Sequence, residues 1–153
     1  MKVIKSFLLS ISLLLIANSN LFAQDPVFKV VEEMPRFPGC EQESLSSEEL
    51  KQCSNDRMLE FVYKNLKYSK EDRDAGIQGT AVVQFIIEKD GSVSSIDVVR
   101  DPGGNCGQNA HDVVNAMNSI ETKWRPGHQR GKAVRVYYTL PIRFKLNAKV
   151  KKG

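Results

Sequence analysis

The plainest pattern in this chain lies near its C-terminus. Val134, Val136, Tyr138, Leu140, Ile142, Phe144 and Leu146 alternate with Arg135, Tyr137, Thr139, Pro141, Arg143 and Lys145. Period-two alternation puts the first set on one face of a strand and the second set on the other. The run is long, since a typical strand has about five or six residues. Pro141 lies inside it. Proline cannot donate to a ladder and is tolerated mainly on an edge strand, and outward charges also mark a protected edge. The pattern predicts a long strand at the edge of a sheet.

Upstream the period changes. Met58, Leu59, Val62, Tyr63 and Leu66 recur at helical spacing after Ser54-Asn55-Asp56, which predicts a helix over about 56–67 with a polar start. Ser69 to Gly79 reads as a polar turn. Thr80 to Glu88 reads as a strand with Val83, Phe85 and Ile87 on one face. Asp90-Gly91 follows, a strong hairpin signal. A two-residue loop there pairs residue 83 with 98 and 85 with 96, so the apolar face continues across both strands. Ala110, Val113, Val114 and Met117 form a second helical stripe, ending near Asn118-Ser119. Trp124 to Gly127 and Gly131 mark turns. The order helix, strand, strand, helix, strand predicts an α+β fold. Its economical form is a three-stranded antiparallel sheet with two helices packed on one face and the final strand at an edge.

The 153 residues are enough for one domain. Lys2 and Lys5 precede an apolar run from Phe7 to Ala17, and Ala23 offers a cut site before Gln24. This is the pattern of a signal peptide over 1–23. The run is shorter than the about 20 apolar residues of a spanning helix. Export to the periplasm with cleavage after Ala23 is the expectation, and retention as an inner-membrane anchor is the alternative. Residues 24–54 read as an N-terminal arm, with a short strand over Val27 to Val31 and breaks at Pro35, Pro38 and Gly39. Residues 55–147 hold the domain, and 148–153 form a basic tail.

The net charge is +4, and the segment 1–23 supplies two of the 22 basic residues and none of the 18 acidic ones. The exported chain is therefore nearly balanced, which argues against nucleic acid as a partner. Three cysteines, Cys40, Cys53 and Cys106, acquire meaning from export, because exported compartments permit disulfides. Cys40 with Cys53 is the favoured pair, although spacing alone does not fix connectivity. Cys106 is then buried or free. The remaining candidates for chemistry are weak. Cys106 and His111 lack a visible orienting third group for nucleophilic catalysis. Gly103-Gly104-Asn105-Cys106-Gly107 lacks the ending of a phosphate loop and reads as a connection. No metal-ligand spacing is present. His128 sits in a polar turn and is expected to be solvated, and Trp124 is expected to be a packing anchor. The residues call for no cofactor and hold no constellation for an enzyme.

Several stretches together carry a resemblance. Gly76 to Phe85 with Glu88-Lys89-Asp90-Gly91-Ser92-Val93 resembles the first hairpin of TonB C-terminal domains. Lys123-Trp124-Arg125-Pro126-Gly127, Arg130 to Val136 and Leu140-Pro141-Ile142-Arg143-Phe144 resemble their closing motif. Met34 to Cys40 is similar to the lead-in of short exported members. The resemblance implies a binding module in TonB-dependent transport. In that family the domain grips the TonB box, a short peptide of outer-membrane transporters, which adds as a strand to the edge of the sheet. Carried onto this chain, the partner-binding residues are Arg135, Tyr137, Thr139, Pro141, Arg143 and Lys145. The region after the first helix also contacts the transporter in the family. Here it holds Tyr68-Ser69 where members commonly carry Tyr-Pro, so Tyr68 is a further candidate. An inner-membrane energising complex and a homodimer through the same edge are the other partners implied. Residues 24–55 are the only spacer, reaching at most about 110 Å fully extended. A cleaved chain of this kind is expected to bind a TonB box without itself transmitting force. A soluble assembly module that self-associates is the alternative function.

Overall fold

The computed structural model describes residues 25–41 and 44–146. The signal segment 1–23 and the basic tail 148–153 lie outside the described residues. In chain order the elements are β1 (Val27–Phe28), α1 (Ser47–Asn65), α2 (Lys70–Asp74), β2 (Gly79–Ile87), β3 (Val93–Arg100), α3 (Cys106–Asn115), β4 (Gly127–Gln129) and β5 (Lys132–Phe144). A single 3-10 turn, Ala116–Ser119, extends α3. The class is α+β, as expected.

The sheet differs from the expectation. It is mixed and has five strands in the order β1-β5-β2-β3, with β4 paired to β5 beside this path. The final strand is therefore interior at its start, not a simple edge. The reason is length. β5 has 13 residues and β2 has 9, so β2 covers only Val136 to Phe144 of β5. The overhanging Lys132 to Val134 folds back on β4 through a hairpin turn at Arg130 and Gly131, both with positive φ (51° and 73°). β1 then pairs in parallel with Arg135 and Val136.

The β2–β3 hairpin also departs from the simplest form. Its loop has three residues, Lys89-Asp90-Gly91. It is closed by the Glu88 N–H donating to the Ser92 carbonyl at 2.9 Å and the Gly91 N–H donating to the Glu88 carbonyl at 3.0 Å. Only Gly91 of the loop takes positive φ (78°), while Asp90 Oδ1 accepts from the Ser92 N–H at 2.9 Å. The extra loop residue shifts the register by one. A bulge at Ser95 (φ 48°) shifts it back, so Val83 still pairs with Val98 while Phe85 faces the bulge. Gly91 is also where the hairpin meets the rest of the protein. Its carbonyl accepts from the Trp124 N–H at 3.3 Å, and a side chain at 91 would run into the Trp124 carbonyl.

Helix α1 begins nine residues before the expected position and runs across residues 54–55. Its start is a capping box: Ser46 and Glu49 each accept from the other's backbone N–H. Ser54, expected as a cap, is buried mid-helix. Met58 and Val62 face the core, whereas Leu59 and Tyr63 stay exposed. The expected turn after α1 contains the short helix α2, capped by Ser69 Oγ, which accepts from the Asp72 N–H at 3.0 Å.

The core lies between one face of the sheet and helices α1 and α3. Ala81, Val83, Phe85 and Ile87 of β2 meet Leu140, Ile142 and Phe144 of β5 and Ala110, Val113, Val114 and Met117 of the α3 segment. Trp124 sits among aromatic rings, 5.2 Å from Phe37, 5.2 Å from Tyr138 and 6.2 Å from Phe85 between centroids. Phe37 comes from the arm, so the arm belongs to the core. A disulfide joins Cys40 to Cys53 with Cα atoms 6.0 Å apart and so clips the arm to α1. Closing a loop of this size contributes about 3 kcal/mol in the chain-entropy account. Cys106 is fully buried.

The early start of α1 depends on its cap. Replacing Ser46 by Ala removes the Ser46 half of the box and should lower stability by about 1 kcal/mol. In urea unfolding this reads as a lower midpoint at unchanged slope. An unchanged midpoint would mean that the first turns of α1 contribute nothing.

Candidate functional site

The exposed set of β5 was the sequence's candidate, and the backbone decides what it can do. In an antiparallel ladder, successive residues direct their N–H and C=O groups to opposite flanks. The Arg143 N–H turns away from β2, donating to the Tyr63 hydroxyl at 3.2 Å. The β2–β5 register runs unbroken from Gly79↔Phe144 to Ile87↔Val136. Alternation therefore sends the backbone groups of Thr139 and the carbonyl of Pro141 to the same outer flank. Pro141 needs no N–H there, which explains why it is tolerated. Among the described residues no strand pairs with Tyr137 to Phe144 on that flank.

The free flank borders a cleft of about 960 Å³. Tyr137, Tyr138 and Thr139 line one side. The arm, with Lys29, Met34 and Arg36, and the first turns of α1, with Lys51 and Asn55, line the others. The arm reaches this position because Glu33 pairs with His128 and Arg36 with Arg125 through backbone hydrogen bonds of 2.9–3.1 Å. His128 is thus part of a strand, half-buried, with Nδ1 lacking a hydrogen-bond partner among the described residues, and not in a solvated turn.

The candidate residues divide by environment. Arg135 is engaged: its guanidinium donates to both Glu88 oxygens at 2.7 and 3.0 Å and to the Asp25 carbonyl at 3.1 Å. Tyr137 is half-buried, and Thr139, Pro141 and Arg143 are exposed along the free flank. Lys145 is exposed just past the strand. Tyr68 lies elsewhere. Its hydroxyl donates to the Ile77 carbonyl and its ring packs edge-on against Phe144 at 5.3 Å. Burial raises its pKa, and its contacts are those of a packing residue. On α1, Asn55 lines the cleft together with Thr139, and Tyr63, two turns further on, reaches the Arg143 N–H. The helical stripe read from the sequence included Leu59 and Tyr63, which the structure leaves exposed, because such a stripe is wider than the buried face.

The glycine-rich loop before α3 does cradle anions, but they are the protein's own. Asp101 Oδ1 accepts from the Gly103 N–H at 2.8 Å and the Gly107 N–H at 3.0 Å. Buried Asp72 accepts from the Asn105 N–H at 3.1 Å. These carboxylates occupy the donors that a phosphate would need. Burial, then Asp72 and Asp101, raise the Cys106 thiol pKa, so a thiolate is disfavoured there. No cluster of metal-ligating side chains occurs among the described residues.

The Glu88–Arg135 pair anchors β1 and β2 around the start of β5. Hydrogen bonding from Arg135 holds the Glu88 carboxyl below its ordinary 4.5, against a smaller opposing effect of burial. A lowered folded-state pKa adds stability that is present above 4.5 and lost as pH falls through the folded value. Glu88→Gln should cost about 1–3 kcal/mol at pH 7, as for a hydrogen bond to a charged group. Urea unfolding across pH should show this cost shrinking below pH 4.5. A cost that stays constant down to pH 2 would contradict the assignment.

Residues 64–146 match the family described as the Gram-negative bacterial TonB protein C-terminal. No curated protein matches the chain. Two solution structures of the Helicobacter pylori TonB C-terminal domain are similar. One is 22% identical with a TM-score of 0.49, covering 62% of this chain and 96% of that one. The other is 23% identical with a TM-score of 0.48, covering 71% and 100%. The family match takes in more than half of the chain, from the last turn of α1 through the whole of β5, and the chain belongs to the TonB C-terminal family of TonB-dependent transport.

Proposed function

We propose that this protein is a periplasmic binding module that receives the TonB box of an outer-membrane transporter as an added strand along the outer flank of β5. The observation that carries this reading is the stretch of β5 from Tyr137 to Ile142 that no further strand pairs among the described residues, its first three residues lining an open cleft. Strand addition needs a row of outward backbone groups and room beside it. Both occur together here. The site is shorter than the alternation alone implied, because β1 holds the flank at Arg135 and Val136. Tyr137, Thr139, Pro141, Arg143 and Lys145 are the partner-facing residues, and Arg135 supports the strand through Glu88. Among the described residues no helix is long and apolar enough to cross a membrane.

The magnitudes favour a reversible contact. About four or five ladder hydrogen bonds contribute about 0.5–1.5 kcal/mol each. Association costs about 4–15 kcal/mol, so side-chain burial in the cleft must supply the rest. A micromolar dissociation constant would need a net gain of about 8 kcal/mol, most of it from that burial.

Titration with N-terminal peptides of outer-membrane transporters tests the reading. Thr139→Pro removes an outward N–H and places a ring on the flank, and it should weaken binding at least about ten-fold. Binding that survives Thr139→Pro in a folded variant would move the site elsewhere. Sedimentation of the protein alone distinguishes the second use of the same flank: a concentration-dependent dimer that Thr139→Pro abolishes would make the flank a self-association surface.

A further inference from the structure

The charges of the exported chain nearly cancel in sum, but the fold sorts them. Helix α1 runs toward the closing end of β5, where the Tyr63 hydroxyl accepts from the Arg143 N–H at 3.2 Å. Lys64 and Lys67 come just after Tyr63 and are exposed. Tyr68 packs on Phe144 with ring centroids 5.3 Å apart, and the Arg73 guanidinium of α2 lies over the Tyr68 ring, 5.8 Å from its centroid. Arg143 and Lys145 flank Phe144, and both are exposed. Thr80 pairs with Arg143 and Val82 with Arg100, so Arg100 closes β3 at this same end of the sheet. One end of the molecule thus gathers cations from α1, α2, β3 and β5.

Few of these cations are neutralised. Lys70 pairs with Asp74. Lys64, Lys67, Arg73, Arg100, Arg143 and Lys145 have no carboxylate within ion-pair distance among the described residues. The nearby acids are mostly engaged elsewhere. Asp72 is buried, Asp101 accepts from the Gly103 and Gly107 N–H groups, and Glu60 pairs with Arg57 at 3.3 Å, while Glu71 stands exposed. In the sequence no acid follows Glu121, and Lys149, Lys151 and Lys152 come after Lys145, outside the described residues. A helix C-terminus favours cations in its last turn, which accounts for Lys64. It does not account for Arg100, Arg143 and Lys145, which the sheet brings to the same end.

We infer that this end of the molecule docks on an anionic phospholipid surface and is held there peripherally, by charge. Lysine is a point charge on a flexible stem, suited to a phosphate that can come to it, and it is depleted at protein–protein interfaces. Lipid headgroups diffuse and can gather beneath cations scattered over several elements, whereas a protein partner must match them at fixed positions. Each Lys or Arg held near such a surface multiplies partitioning about five-fold. Among the described residues no helix could insert, so salt should undo the contact. Docked this way, β5 meets the surface end-on at Arg143 and Lys145. The inference stands independently of strand addition.

Co-sedimentation of the exported chain with vesicles tests this. Phosphatidylcholine mixed with an equal amount of phosphatidylglycerol should hold the protein at least about a hundred-fold more strongly than phosphatidylcholine alone. Salt at about 1 M, which shortens the Debye length to about 3 Å, should release it. Lys64→Gln with Lys67→Gln and Arg100→Gln, all exposed, should weaken binding at least about ten-fold. Lys123→Gln with Arg130→Gln and Lys132→Gln removes the same charge away from this end and should change binding by less than about three-fold. Equal losses in the two variants would reduce the effect to net charge and overturn the assignment to this end. Absence of a preference for phosphatidylglycerol would overturn the membrane as partner, and retention of that protein on immobilised polyglutamate would then assign the patch to an acidic protein. The β5 flank is judged separately by Thr139→Pro, which leaves these cations in place.

Discussion

The ladder between β2 and β5 organises the molecule. Nine residue pairs run without a register break from Gly79↔Phe144 to Ile87↔Val136. On the core face this ladder brings Ala81, Val83, Phe85 and Ile87 beside Val136, Leu140, Ile142 and Phe144, all buried. Burial of each large side chain in this set contributes about 1.5–3 kcal/mol. The same ladder fixes which backbone groups of β5 are consumed and which are not. Strand β5 is thus fully paired on one flank, and the other flank is left without a partner strand between Tyr137 and Ile142 among the described residues. A binding edge needs this combination, because a mobile edge would add an ordering cost to every encounter.

The arm turns that edge into a bounded site. Phe37 inserts against Trp124 and Phe61, backbone pairing at Glu33 and Arg36 holds the arm to the β4 region, and the Cys40–Cys53 bridge ties it to α1. The long overhang of β5, the arm and the early start of α1 are one connected arrangement. Without the overhang there would be no β4 pairing, and without β4 the arm would lose its backbone pairing at Glu33 with His128. Without the capping box at Ser46 the wall formed by Lys51 and Asn55 would begin later.

Much of this could be read from the chain, for identifiable reasons. The alternation over β5, the buried face of β2 and the stripe of α3 were legible because each buries one regular face. The Val83↔Val98 pairing came out as expected although the loop did not, because the Ser95 bulge cancels the extra loop residue. Pro141 correctly marked a free flank for its own neighbourhood. It said nothing of Lys132 to Val136, where pairing is made by two-residue and three-residue strands too short to leave a pattern. The start of α1 was signalled by Ser46 and Glu49 but hidden in an acidic, serine-rich stretch. The walls of the cleft were the least legible part, since Lys29, Met34 and Arg36 lie in a stretch that reads as an arm outside the domain.

The most direct test of the account is amide hydrogen exchange at single residues of β5 with and without a bound transporter peptide. Adding the peptide should slow exchange at the outward Thr139 N–H. Leu140 and Ile142, whose N–H groups already serve the β2 ladder, should change little. Saturating peptide that leaves Thr139 exchange unaltered, while protecting residues away from β5, would contradict the central claim that this flank receives the added strand.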